Sequence, residues 1–451
     1  MNKLNLEKIN KVYLAGIGGI GLSSIAYYFK NLGKVVEGSD LIKSEVTKRL
    51  EAANIDIHFK QKEGNISEDI DLLVYSSALP ETHPELLKAK ELKIPTLTYF
   101  QFLGLLSKNY KTIAVTGTNG KTSTTAMLGL MLEKAGLDPT VIVGSLVPQW
   151  GNNFRLGQSD ILVVEACEWQ AHMLELDPNI IVLSNVAEDH LDFYKDLEDI
   201  KIHFQKFVDK LPRTGLFIKN FDDQNSQDIK FKSTVTFGSS EQADYFFSDV
   251  KIEDGKQKFN TNEFSNIELS VPGKYNIYNA LSAMVVAKEL GVNKHQMWNA
   301  LSEFKNTWRR FEIVGQMKSN IVISDYAHHP DSINMLLRAT KDFYPDKKII
   351  AVFQPHHHNR TKTLLDQFAK AFYLADQVIV SEIYSVSGRE DKIKEDVSSV
   401  DLIELMNHSH KYYASDFKKV KEILKDINPS NSIIIFIGAG DIDDLAREVI
   451  D

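Results

Sequence analysis

Cysteine is nearly absent from this chain: Cys167 is the one thiol in 451 residues. A single thiol forms no internal disulfide and fits a reducing compartment. Long apolar runs are also lacking, and nothing approaches the roughly 20 residues that a membrane helix needs. The first ten residues, Met1 to Asn10, hold no apolar core, which predicts no signal peptide and a cytoplasmic protein. Positive charge is not in excess. The 52 Lys and Arg against 61 Asp and Glu give a formal net charge of −9. That argues against binding a nucleic-acid backbone, while leaving room for a local basic pocket for a small anion. What remains is a globular composition, 43% hydrophobic and 25% charged, in a chain too long for one core.

Three α/β segments follow one another. The first runs from the strand Lys11–Ala15 through Gly16-Ile-Gly18-Gly19-Ile-Gly21 into a helix-like stretch from Leu22 to Leu32. A second strand ends at Gly38-Ser39-Asp40, and Asp71–Ser76 is another buried strand. This is a Rossmann-like βαβ pattern. The second segment starts at Ile113-Ala-Val-Thr-Gly-Thr-Asn-Gly-Lys-Thr122, with further strands at Pro139–Val143, Ile161–Glu165 and Ile180–Ser184. Short alternating runs at Ser233–Phe237 and Asn266–Ser270 predict a small antiparallel insertion. The third begins near Arg309, and alternates strands (Ile321–Ser324, Lys348–Phe353, Gln377–Val380, Ser432–Phe436) with helices (Asp331–Phe343, Lys362–Leu374). It reads as a second doubly wound α/β unit.

The strand–loop–helix at Gly117, Thr118, Asn119, Gly120, Lys121 and Thr122 is the build of a phosphate cradle. Its glycines let backbone N–H groups approach phosphate oxygens, Lys121 reaches the outer phosphates, and the Thr122 hydroxyl suits Mg²⁺. The spacing is G-x-x-G-K-T rather than the usual G-x-x-x-x-G-K-[ST]. Gly16, Gly18 and Gly21 with Asp40 match a dinucleotide fingerprint, yet a nucleotide-sugar diphosphate satisfies the same helix N-terminus. A triphosphate cradle directly downstream speaks against a dehydrogenase. Glu165 ends a strand, where such an enzyme places a metal ligand or water-orienting acid, with a surface acid as the plain alternative. Asn185–Asp192 also follows a strand, and His190 there is a second candidate ligand. His328 and His329 in one stretch, and His356, His357 and His358 in another, follow strands and share one rim of a sheet. Zinc is conceivable, but adjacent histidines rarely face one ion. Polar substrate recognition is favoured, with Arg360 available for a carboxylate. Cys167, beside two glutamates, reads as a pocket-lining thiol rather than a nucleophile.

Taken together, Gly-Thr-Asn-Gly-Lys-Thr122, Glu165, Asp189-His190, Asn276-x-x-Asn279, Arg309-Arg310-Phe311 and Asp325-Tyr-Ala-His-His-Pro330 occur in the order seen in Mur ligases. The chain resembles that family over essentially its whole length. Gly16–Gly21, Gly38-Ser-Asp40 and Phe353-Gln-Pro-His356 point to its alanine-adding branch. The resemblance implies three α/β domains: a UDP-sugar-binding one (1–108), a central P-loop ATPase with an antiparallel insertion (109–308), and a C-terminal one that closes over the amino acid (309–451). It implies ATP, Mg²⁺, UDP-N-acetylmuramate and L-alanine as ligands, joined through an acyl phosphate in peptidoglycan synthesis. Gly16, Gly18, Gly19 and Gly21 would hold the UDP diphosphate, with Ser39 and Asp40 near the uridine. Lys121 would bind the β- and γ-phosphates, and Thr122, Glu165 and His190 the magnesium. Asn276 and Asn279 would lie beside adenine, Arg310 and Asp325 beside the nucleotide, and His328, His356 and Arg360 around alanine. Tyr275, Cys167, Trp169 and His357 stand where the family commonly carries other residues, His357 where many relatives have Arg. A recycling ligase that adds a preformed tripeptide to the same sugar nucleotide, and a non-catalytic UDP-sugar-binding protein, are the rival readings.

Overall fold

The computed structural model describes residues 6–191, 193–253, 255–385 and 396–450. Met1–Asn5 of the N-terminal stretch and Asp192 of the Asn185–Asp192 run lie outside them. The chain divides into two compact units. One takes in Met1–Ser248, Asn260–Ser265 and Tyr278–Glu303; the other Asp249–Phe259, Asn266–Ile277 and Phe304–Asp451.

The first unit holds two sheets. β1 (Lys11–Ala15), β2 (Val35–Ser39), β3 (Asp56–His58), β4 (Leu72–Tyr75) and β5 (Thr96–Thr98) lie in the order β3-β2-β1-β4-β5, all parallel. The strand order reverses at β1, and the glycine turn leaves from its C-terminal end, the usual ligand edge of such a sheet. The second sheet is built from β6 (Lys111–Thr116), β7 (Thr140–Val147), β8 (Asn152–Arg155), β9 (Ile161–Glu165), β10 (Ile180–Leu183), β11 (Leu216–Asn220) and β12 (Thr234–Gly238). Their order is β12-β11-β10-β6-β9-β7-β8, with β13 (Tyr245–Glu253) beside β12. β6, β9 and β10 are buried Val/Ile/Leu runs, as strands covered on both faces must be. β6 is the central strand, and its parallel register pairs Val115 with Glu165 and Thr116 with Leu183. Both neighbours therefore deliver their exits to the mouth of the phosphate loop.

The antiparallel insertion is narrower than its sequence pattern predicts. β12 pairs parallel with β11 and extends the main sheet, because a buried Phe237 and Gly238 continue the pleat. In the second unit β14 (Lys256–Thr261) and β15 (Ile267–Leu269) do pair antiparallel.

The second unit also carries β16 (Glu312–Met317), β17 (Asn320–Asp325), β18 (Lys348–Phe353), β19 (Gln377–Ser381), β20 (Lys411–Ala414) and β21 (Ser432–Ile437), in the order β16-β17-β21-β18-β19-β20. Within this sheet, among the described residues, only the β16–β17 pair is antiparallel. Ile433, Ile435 and Ile437 face one buried cluster and Ile434 and Phe436 the other, the two-sided burial of a doubly wound sheet. The helix expected at Lys362–Leu374 is instead two short ones, His358–Thr363 and Leu365–Ala371, broken at Leu364 (φ −109°, ψ 18°). Thr361 and Thr363 are weak helix formers, and the break lets Leu364 and Leu365 both pack on the core.

Candidate active site

The phosphate loop spans from β6 to the helix Lys121–Lys134. It is fastened to the exit of β10. The Asn119 N–H donates to Asn185 Oδ1, and Asn185 Nδ2 returns a bond to the Asn119 carbonyl, both at 3.0 Å. The Thr118 hydroxyl accepts the Ala187 N–H at 2.9 Å. Asn279, on the helix Lys274–Glu289, lies against Gly120: a side chain at Gly120 would run into its amide oxygen. Asn276, one turn earlier in that helix, caps locally, its Nδ2 donating to the Pro272 carbonyl at 2.7 Å.

Lys121 Nζ donates to the carbonyls of Gly117 (2.7 Å) and Thr118 (3.0 Å) and pairs with Glu168 at 2.8 Å. Burial works most strongly against its charge, but the Glu168 carboxylate together with the Cys167 and Glu165 charges outweighs it and keeps the ammonium above its usual range. A cation thus stands against the glycine loop. Thr122 Oγ1 donates to Glu165 Oε1 at 3.0 Å, and the Gly144 N–H donates to Glu165 Oε2 at 2.8 Å. His190, at a left-handed φ of 53°, sits 3.9 Å from Glu168 and 3.8 Å from Asp189. Glu168, Asp189 and His190 offer donor atoms within 4.8 Å of one another, so His190 groups with Glu168 rather than with Glu165. Burial pushes the Cys167 thiol up to about 12, with Glu168 adding to it, which excludes it as a nucleophile near neutral pH.

In the N-terminal sheet, Gly19 caps the helix Ile20–Asn31, and Gly16, Gly18 and Gly21 form its turn. The Gly16 N–H donates to the Ser39 carbonyl at 2.8 Å, and the Gly18 N–H to Asp40 Oδ2 at 2.9 Å. Asp40 therefore braces the turn. The Ser39 hydroxyl donates to the fully buried Glu85 at 2.6 Å, which also accepts from Tyr13 and Asn65. The Tyr99 ring lies over Gly21, leaving no room for a side chain there. Burial holds its phenol well above the usual range; a Ser24 hydrogen bond opposes this, and the Glu165 charge adds to it. Tyr99 is thus in touch with the glycine turn and electrostatically with the acid beside Thr122.

In the second unit, β17 and β18 flank β21, so Tyr326–His329 and Gln354–His358 leave from one rim. Asp325 accepts the Phe311 N–H (2.7 Å) and the Ala327 N–H (2.8 Å). Burial raises its pKa and Arg310 opposes that. Arg309 and Phe311 both take left-handed φ, 58° and 43°, a strain that this clamp maintains. Arg309 donates to the Gly438 and Gly440 carbonyls, and Arg309 and Arg310 both lie over the Tyr326 ring, 4.9 and 5.1 Å from its centre. Tyr275 feels the charges of Asp325 and Arg310. His356 stacks on Tyr384 at 5.7 Å and meets His328 edge-on at 6.3 Å. His329 is no ligand candidate: its Nδ1 caps the helix Pro330–Phe343.

Burial first, then His357, His328, Arg360 and Arg309, lower His356 to about 3. Its ring is expected to stay neutral from pH 5 to 8 in an NMR titration. Because the folded value lies below the unfolded one, of about 6.5, the unfolded chain binds the proton more tightly. His356 therefore withdraws stability as pH falls from about 6.5 towards 3.

The sequence pattern missed Glu168, Asn185 and Glu85.

Three family models cover the chain in turn: the Mur ligase family catalytic domain (residues 11–111), the Mur ligase middle domain (115–287) and the Mur ligase glutamate ligase domain (309–440). Relatives carrying the name UDP-N-acetylmuramate–L-alanine ligase match end to end. That of Sulfurihydrogenibium sp. is 40% identical over 97% of both chains. The chain belongs to the Mur ligase family. The Caldicellulosiruptor saccharolyticus enzyme of the same name is 38% identical over 98% of this chain and 99% of its own. The crystal structure of UDP-N-acetylmuramate–alanine ligase from Thermotoga maritima superposes with a TM-score of 0.83 at 29% identity, covering 97% of this chain and 98% of that one. A murein peptide ligase from Psychrobacter arcticus shares the Mur ligase fold, with a TM-score of 0.72 at 22% identity over 97% and 98% of the two chains.

Proposed function

We propose that the protein joins the carboxylate of UDP-N-acetylmuramate to the amine of L-alanine, using ATP and forming ADP, as a cytoplasmic step of peptidoglycan synthesis. The observation that carries this is the end-to-end similarity to enzymes of that name. Among the described residues, no helix is long and apolar enough to cross a membrane, in keeping with a nucleotide-sugar substrate. The functional division follows the three matched segments, taken as 1–108, 109–308 and 309–451.

In this reading the muramoyl carboxylate oxygen attacks the γ-phosphorus, and the bond to the β-phosphate oxygen breaks to release ADP. The alanine nitrogen then attacks the acyl carbon, loses a proton and expels phosphate. Neither step needs a covalent enzyme nucleophile, which agrees with the high pKa of Cys167. What the chain supplies is charge and alignment. Lys121 and the Gly117–Gly120 amides hold the β- and γ-phosphates, Glu168 keeps Lys121 charged and oriented, and Asn276 and Asn279 flank adenine. Arg310 and Asp325 serve the nucleotide, and His328, His356 and Arg360 the amino acid. Gly16, Gly18, Gly19 and Gly21 take the UDP diphosphate, with Ser39 towards the uridine and Asp40 shaping the turn.

The residues present suit Mg²⁺. The Thr122 hydroxyl and the Glu165 carboxylate lie 3.0 Å apart, and hard oxygen donors of this kind are what the ion selects. Thr122 and Glu165 would hold it, while His190, which the sequence assigned to the same ion, stands with Glu168 and Asp189 as a neighbouring group of donors. Bound there, it neutralises charge on the transferring phosphoryl group.

The test is phosphate release from ATP with UDP-N-acetylmuramate, offering alanine, serine, glycine and a tripeptide separately. Release is expected with alanine. Release with the tripeptide alone would make the enzyme a recycling ligase, and none with any acceptor would sink the ligase reading. A non-catalytic binder has no need of the Lys121–Glu168 pair.

A further inference from the structure

Asn153 lies on β8 with no exposed surface. Its Nδ2 donates to the Ile20 carbonyl and, at 3.5 Å, to the Val143 carbonyl, and its Oδ1 accepts the Ser23 hydroxyl at 3.4 Å. Ile20 and Ser23 belong to the first turn of the helix that follows the Gly16–Gly21 turn. Val143 precedes Gly144, whose N–H holds Glu165 Oε2, while Glu165 Oε1 holds Thr122. One buried amide is thus bonded on one side to the helix that opens at the glycine turn. On its other side it meets the strand that carries the partner of Glu165. Burying an amide is unfavourable unless its hydrogen bonds are made, and packing alone would be served by an apolar side chain of similar size.

We propose that Asn153 is a positioning residue for phosphoryl transfer: it sets the glycine-turn helix against the Gly144–Glu165–Thr122 end of the phosphate loop. The sugar nucleotide's carboxylate and the γ-phosphate are thereby brought into line. This rests on the ligase reading above. In-line attack tolerates little error, and a misplacement of about 1 Å costs about 100-fold in rate. Affinity for each nucleotide is set by its own loop, and that loop survives a small shift of one relative to the other.

Two variants test it. Asn153→Asp keeps the shape but points a carboxylate oxygen at two carbonyls, and Asn153→Leu keeps the packing with no polar group. Both are expected to lower kcat about 30- to 100-fold. KM for ATP and UDP-N-acetylmuramate, and calorimetric affinity for a non-hydrolysable ATP analogue, should stay within about threefold of wild type. Wild-type kcat in either variant overturns the proposal, as does a kcat loss matched by an equal rise in KM or a weakened analogue. A wild-type protein that releases no phosphate with the two substrates fails the ligase reading itself and takes this proposal with it. Turnover by wild type with unchanged variants fails the positioning role alone.

Discussion

Lys121→Ala is expected to lower alanine-dependent phosphate release about 10²- to 10³-fold, the usual consequence of removing one donor aimed at developing charge. The ammonium lies against the glycine loop, where Glu168 and two loop carbonyls hold it in place. A second effect must be separated from this one. The Glu168 side chain is only 5% exposed, and without Lys121 it becomes a buried charge with no cation. Breaking such a pair destabilises by about 3–5 kcal/mol, so a lower Tm would confound the rate. The double variant Lys121→Met with Glu168→Gln removes both charges. It should recover most of the Tm while phosphate release stays at the Lys121→Ala level. Recovery of activity along with stability would mean that Lys121 serves the fold alone, and the phosphate-binding assignment would fall.

How far this site was legible in the sequence depends on which physical signal a residue leaves. The phosphate loop was plain because glycine spacing, a preceding apolar strand and a following helix are all local. The strands were equally plain: Ile161–Glu165 and Lys348–Phe353 emerge with the bounds their apolar runs predict. Glu165 could be placed at a strand end, but its bonds to Thr122 and Gly144 come from parallel register, which no local pattern encodes. Glu168 was hidden for a related reason. It lies beyond the strand, just ahead of two non-glycine residues, Gln170 and Ala171, at φ 50° and 57°, and nothing in their identity announces that turn. Asp40 was legible as an acid at the right distance from the glycines; that its carboxylate holds the Gly18 amide was not. The parallel pairing of β12 was misread because a short alternating run looks the same whether its neighbour is parallel or antiparallel.

Gly117→Ala is expected to lower alanine-dependent phosphate release at least about 100-fold, since shifts of about 1 Å in a positioned site cost that much in rate. Two independent demands meet at this residue. Its φ of 128° is one that L side chains rarely adopt. A Cβ there would also press on the Ser184 hydroxyl, and would lie 2.8 Å from the Asn185 carbonyl oxygen and 3.0 Å from the Asn185 nitrogen. Those backbone atoms cannot swing aside, because Asn185 is the residue that grips Asn119 and Thr118. The loop would have to leave the β10 exit, and its amides would no longer converge on one phosphate position. Ser184→Gly added to Gly117→Ala relieves only the hydroxyl clash and should restore little. Gly33→Ala is the matching control. It shares a positive φ, 74°, but meets nothing within 4 Å, so it should cost about 1–2 kcal/mol in stability and leave turnover intact. Equal losses of activity in the two alanine variants would show that backbone strain alone explains the first. A loss confined to Gly117→Ala, not rescued at Ser184, would locate the requirement in the contact between the phosphate loop and the strand exit beside it.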